Sequence, residues 1–148
     1  MSQVKADMQG AQATGSPARG PAERPLSPHL QVWRWHVTML GSILHRISGV
    51  ALYFGAFIVA AWAISLAYGP EAYADYMGFM SSWLGRLVLL GMTGAGFYHL
   101  ANGIRHLVWD TGRGLNPKLA DMTGIAVIVF AVLASAATWF VAYAADVL

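Results

Sequence analysis

Three long apolar stretches, residues 43–68, 83–109 and 122–144, leave this chain little choice of fold. Each exceeds the ~20 residues a helix needs to cross the hydrocarbon core of a bilayer. In lipid every backbone N–H and C=O has to be paired within its own segment, so three such stretches predict three membrane-crossing helices. Helices of a soluble domain rarely stay apolar on every face for this length. Composition agrees, with 57% hydrophobic and 11% charged residues, and the expected class is all-α, integral membrane. The first stretch starts well after the N-terminus and is too long for a signal-peptide core, so it is expected to stay in the mature protein.

The polar parts sort by position. Residues 1–23 are rich in Gly, Ala, Ser, Gln and Pro and show no apolar period, which predicts a flexible extension. Residues 24–42 read as an interfacial segment. Pro25 and Pro28 favour an extended path, Trp33, Arg34, Trp35 and His36 are the aromatic and basic anchors of a headgroup region, and residues 30–40 can form a short surface helix. Residues 43–148 then make the three-helix transmembrane anchor. The first connection carries Glu71 and Asp75 but no Lys or Arg. The second carries Arg105, Arg113 and Lys118, and the N-terminal side carries Lys5, Arg19, Arg24, Arg34 and Arg46. By the positive-inside rule the N-terminus and second connection are cytoplasmic, and the C-terminus is periplasmic. Arg86, alone on the outer side, does not overturn that count. The net charge of +2 and pI near 9.2 follow this membrane sorting and do not call for a nucleic-acid partner. With no cysteine, the chain holds no disulfide and no cysteine-ligated iron–sulphur cluster.

The second stretch carries an imidazole inside it. On a helix His99 is flanked by Ala95, Gly96, Asn102 and Gly103, and the row Gly91, Ala95, His99, Gly103 offers a lane without bulk. His106 lies about two turns further along. An ionisable residue within an apolar helix is costly to place and marks a candidate site. Three uses suit it: haem ligation, a proton relay, or a hydrogen bond that locks two helices. Only one histidine lies this deep, so a six-coordinate haem would need its second ligand from another chain. Ser42, His45, Arg46 and Gly49 fall at i, i+3, i+4 and i+7 at the start of the first stretch, with Tyr53 beyond, and make one polar stripe. Arg105, His106 and Asp110 make a second at the same membrane side. Arg46, Arg105 and the peripheral histidines are candidate partners for haem propionates; alternatively, Arg46 snorkels to lipid headgroups. The third stretch has neither charge nor histidine and reads as packing, with Ala134, Ser135 and Thr138 as small contact residues.

The runs Arg24-Pro-Leu-Ser-Pro-His-Leu, Ser42-Ile-Leu-His-Arg-Ile-Ser-Gly49 and His99-Leu-Ala-Asn-Gly-Ile-Arg-His106-Leu-Val-Trp-Asp110 closely resemble the signature motifs of the succinate dehydrogenase cytochrome b subunit, a membrane anchor of respiratory complex II. The likeness runs from about Arg24 to the C-terminus. It implies that His99 is a haem b axial ligand, with the opposite ligand from the second anchor subunit. It implies that His45, Arg46 and His106 lie around the haem propionates, and that Ser42 and Arg46 line a ubiquinone pocket. It also implies a flavoprotein and an iron–sulphur subunit as partners, a bacterial inner-membrane location, and no complete active site on this chain. A haem-free structural anchor and a fumarate reductase anchor are the alternatives.

Overall fold

The structure is a computed structural model and describes residues 32–146. The expected extension over residues 1–23, and residues 24–31 of the interfacial segment, lie outside the described residues. Residues 35–148 form one compact unit. Its elements are α1 (Val37–Tyr68), α2 (Pro70–Met80), α3 (Trp83–Asp110) and α4 (Pro117–Ala144). The described residues contain no strand. Three of these helices, α1, α3 and α4, are long and apolar enough to cross a membrane. At 32, 28 and 28 residues they measure about 48, 42 and 42 Å, so each overreaches the ~30 Å hydrocarbon core and puts its ends among headgroups.

Two of the three spans begin earlier than the apolar runs indicate. The first helix starts at Val37, not near residue 43, so residues 37–42 of the expected interfacial segment are helical and continuous with the first span. Helix α4 starts at Pro117, five residues before the apolar run at 122. Pro117 fits the first helical position because the N–H it lacks would be unpaired there. Asn116 caps the turn, its Oδ1 accepting from the backbone N–H of Lys118 at 3.0 Å and of Leu119 at 3.5 Å.

Helix α2 occupies what reads in sequence as a plain connection. Gly69 ends α1 at φ 110°, a backbone angle that residues with a Cβ seldom adopt, and Pro70 restarts the chain as a helix with Glu71 in its first turn. Tyr76 ties α2 back to α1, its hydroxyl donating to the Ile58 carbonyl at 3.2 Å. Ser82 then caps α3 by accepting from Gly85 N–H at 3.2 Å.

The packing is that of a membrane bundle. The buried positions of the spans are mostly small or polar, including Gly41, Ser48, Gly55 and Ser65 in α1 and Gly124, Ala131 and Ser135 in α4. Phe54, Phe57, Leu133 and Phe140 are exposed, as suits side chains that face lipid while small residues let backbones approach. A compact cluster of Tyr98, Val127 and Ala131, joined by Leu44, Phe97, Ala101 and Ile128, holds the three spans together. The Tyr98 hydroxyl donates to the Gly41 carbonyl at 2.8 Å. Ser135 is buried, its Oγ 3.8 Å from where a Cβ on Gly94 would stand. Thr138, expected among the contacts, is exposed and among the described residues bonds only to the Ala134 carbonyl of its own helix.

Candidate functional site

Helix α3 carries its polar residues on two sides. Toward α4, Arg105 is buried and spends its guanidinium on that helix and its own. Nε donates to Thr123 Oγ1 at 3.0 Å, Nη2 to the Ala120 carbonyl at 2.7 Å and Nη1 to Asn102 Oδ1 at 3.3 Å. Its Cζ also sits 3.9 Å from the centre of the Trp109 ring, a cation–π contact. Sequence groups Arg105 with His106 and Asp110; the structure makes Arg105 a clamp between α3 and α4 while its side chain still borders a cleft that His106 also lines.

Toward α1, three imidazoles stand in a column. The His45 ring stacks on His99 with centres 4.1 Å apart and planes 13° apart, and on its other side meets His106 at 5.2 Å. His106 in turn meets Trp109 edge-on at 5.0 Å. His45 and His106 come from different helices, so the structure joins the two stripes that sequence could only place at the same membrane side. Within this column His45 Nδ1 is buried without a hydrogen-bond partner among the described residues.

The His99 ring is held by one nitrogen. Nδ1 lies 3.1 Å from Ser48 Oγ and 3.2 Å from the His45 carbonyl, both on α1. Nε2 makes no hydrogen bond among the described residues. Beside the ring, a Cβ on Gly49 would stand 3.0 Å from His99 Cε1, so any larger residue would press the ring back by a few tenths of an ångström. On α3 itself, a Cβ on Gly96 or Gly103 would meet nothing within 4 Å. An unpaired imidazole nitrogen with open space on the neighbouring turns is what a flat, iron-bearing macrocycle needs. Among the described residues no three His, Cys, Asp or Glu side chains are grouped to hold a bare metal ion.

Ser42 and His106 line one cleft of about 360 Å³ at the helix ends, together with His36, Arg105 and Trp109. Arg46 does not line it. Its side chain is exposed and has no hydrogen bond or ion pair among the described residues. The structure brings the three imidazoles together and places Ser42 beside one of them, and it adds Ser48, which sequence does not single out and whose one visible signal is its place three residues after His45. Gly91 and Ala95, two members of the expected lane, line a larger apolar cleft of about 650 Å³ between the three spans.

Residues 21–138 match the family of succinate dehydrogenase/fumarate reductase transmembrane subunits. The succinate dehydrogenase cytochrome b556 subunit of Rickettsia felis is 39% identical over 117 residues, covering 79% of this chain and 91% of its relative. That of Paracoccus denitrificans is 39% identical over 118 residues, covering 80% and 91%. The mitochondrial cytochrome b560 subunit of Mus musculus is 40% identical over 124 residues, covering 77% and 69%. With most of its length matched and all three spans inside or overlapping the match, the chain belongs to the succinate dehydrogenase/fumarate reductase transmembrane subunit family.

Proposed function

We propose that this chain is the cytochrome b anchor of succinate:ubiquinone oxidoreductase, that it shares a haem b with a second membrane anchor, and that it forms one wall of the ubiquinone site. The observation that carries the reading is His99, a deep imidazole with Nδ1 tethered to α1 and Nε2 unpaired. Nε2 would be one axial ligand and a histidine of the second anchor the other. His45, Arg46 and His106 would face the propionates, whose negative charge suits cations and imidazole donors near the membrane edge. When bound, the haem supplies a one-electron store next to the quinone site.

Quinone reduction consumes two electrons and two protons, so the site needs a donor to a carbonyl oxygen, a positive field and access to water. Ser42, in the cleft with His106 and Trp109, would donate the hydrogen bond. Arg46 would supply the field, which acts strongly where water is partly excluded. Succinate oxidation would belong to a flavoprotein and an iron–sulphur subunit, since a chain without cysteine cannot bind such a cluster through thiolates. The distribution of basic residues supports an N-terminus in the cytoplasm and a C-terminus in the periplasm of a bacterial inner membrane. A fumarate reductase anchor would share these parts; the names of the relatives favour the succinate direction.

The test is the reduced-minus-oxidised visible spectrum of the gently purified complex, wild type beside His99→Ala. Sharp low-spin b-type bands are expected in the wild type and absent in the mutant; a full haem spectrum in His99→Ala would sink the ligand assignment. Arg46→Ala is expected to lower quinone reductase activity while sparing succinate oxidation by an artificial dye. The second reading is a haem-free anchor in which His99 only locks α3 to α1, and the Nδ1 bonds to Ser48 and the His45 carbonyl favour it. That reading predicts that His99→Gln keeps both assembly and activity.

A further inference from the structure

We infer that Ser48 is a positioning residue for the iron ligand: its hydroxyl fixes the protonation pattern and the plane of the His99 ring, and thereby tunes the haem. The inference rests on reading His99 as that ligand. It follows from counting donors in a three-membered set. A serine hydroxyl has one proton to give, and Ser48 gives it to the His45 carbonyl at 2.9 Å. Toward His99 its oxygen can then only accept. The His45 carbonyl, at 3.2 Å from the same ring nitrogen, can also only accept. Both neighbours of Nδ1 are acceptors, so Nδ1 carries the proton, and in a neutral imidazole the lone pair is left on Nε2.

That is the tautomer an iron ligand requires, and α1 prepares it. Metal-bound histidines commonly donate their second N–H to an oxygen that orients the ring and raises the basicity of the bound nitrogen. Here two oxygens share the task from one helical turn, and Gly49 on the next position leaves room for the ring to lie against the backbone. The geometry also separates Ser48 from the other span serines. Among the described residues Ser65 and Ser135 bond only to carbonyls of their own helices, Trp62 at 2.8 Å and Ala131 at 2.7 Å. Ser48 makes the same local bond and offers its lone pair across to α3 as well. The Ser48 side chain is buried yet borders the apolar cleft, where water is not at hand to replace a lost hydroxyl.

The experiment compares the whole membrane complex with Ser48→Ala, Ser48→Cys and Ser48→Thr for haem retention, midpoint potential and the electron-paramagnetic g values of the oxidised haem. Losing one acceptor makes the bound imidazole a poorer donor to ferric iron, so the Ser48→Ala potential is expected to rise. Its g values should shift as the ring plane loosens, and haem is expected to dissociate about tenfold more readily. Ser48→Cys, a weaker acceptor of similar size, falls between. Ser48→Thr keeps the hydroxyl and is expected to restore wild-type values. If Ser48→Ala does not assemble, the Cys and Thr variants decide. Haem retention, potential and g values equal to wild type in Ala, or in Cys where Ala does not assemble, overturn the Ser48 inference while leaving His99 as ligand. A wild-type complex without b-type bands, or His99→Ala with them, overturns the ligand reading itself.

Discussion

Arg105 and His106 are chain neighbours about 100° apart on α3, and the two sides of the helix treat polar atoms in opposite ways. On the α4 side the Arg105 fork is matched to Thr123, Asn102 and the Ala120 carbonyl, and its flat face to Trp109. On the α1 side His99 keeps a free Nε2, His45 has a buried Nδ1 without a partner among the described residues, and Gly96 and Gly103 open onto empty space. Polar groups that hold helices together are satisfied within the chain; the incomplete ones are those that, on the proposed function, face a cofactor or another subunit. Asn102 Nδ2 also lacks a partner among the described residues. The Asn102 amide turns its oxygen to Arg105, and its NH₂ is stranded as a consequence.

If that contrast is right, the largest loss of stability comes from the satisfied side. Arg105→Ala deletes three charge-assisted bonds and leaves the Asn102 oxygen without its donor. The expected cost is about 2–3 kcal/mol, within the range for such bonds and tempered by the smaller values measured inside membranes. Arg105→Lys recovers less than half, because a single ammonium cannot reach three acceptors set for a planar fork. Thermal denaturation of the purified complex and the amount of subunit in the membrane are the readouts. A wild-type melting temperature for Arg105→Ala would break the contrast at its stronger end.

On the incomplete side, Gly49→Ala should act on the cofactor more than on the fold. The new methyl would stand 3.0 Å from His99 Cε1, and the ring, held at Nδ1, has little freedom to retreat. Overpacking of this kind costs about 1–2 kcal/mol, which corresponds to about tenfold weaker haem retention. Gly78→Ala is the control, since a Cβ there meets nothing within 4 Å. Equal haem-to-protein ratios in the two variants would show that the close approach is incidental.

How much of this is legible in the sequence follows from the same physics. The spans are legible because a hydrocarbon core demands length and apolarity on every face. Their ends are not, because residues 37–42 and 117–121 lie where water or headgroups tolerate helix and loop alike. Helix α2 is hidden for a related reason: over Pro70–Met80 neither its length nor its polarity separates it from a connection. His99 stands out because an imidazole in lipid is expensive. Ser48 does not, since a serine in a span can satisfy itself on its own helix, as Ser65 does, and only the arrival of α3 gives it a second role. The different surroundings of Arg105 and His106 depend on which helix covers which side of α3, and one helix read alone does not hold that information.

Tyr98→Phe sharpens the picture with a smaller effect. The phenol hydroxyl, at the core of the bundle, donates to the Gly41 carbonyl at 2.8 Å, and the ring itself would stay packed in the cluster with Val127 and Ala131. Loss of this one neutral hydrogen bond is expected to cost about 1 kcal/mol, read as a modest drop in melting temperature with an unchanged haem spectrum. A loss of haem in this variant would mean that the core and the cofactor side are coupled.

Arg46 gives the smallest structural effect and the cleanest comparison with Arg105. Both are arginines in membrane helices, but Arg46 is exposed and has no hydrogen bond or ion pair among the described residues. Arg46→Ala should therefore leave the melting temperature of the complex where it was, within the about 0.5 kcal/mol usual for surface changes. On the proposed function the same substitution removes the positive field from the quinone site. Losing that field is expected to lower quinone reductase activity about ten- to hundredfold, with dye-linked succinate oxidation unchanged. A fall in activity at constant stability would mark a group kept for a ligand. Stability and activity falling together would mean that Arg46 is covered by a partner subunit and serves, like Arg105, to hold helices in place.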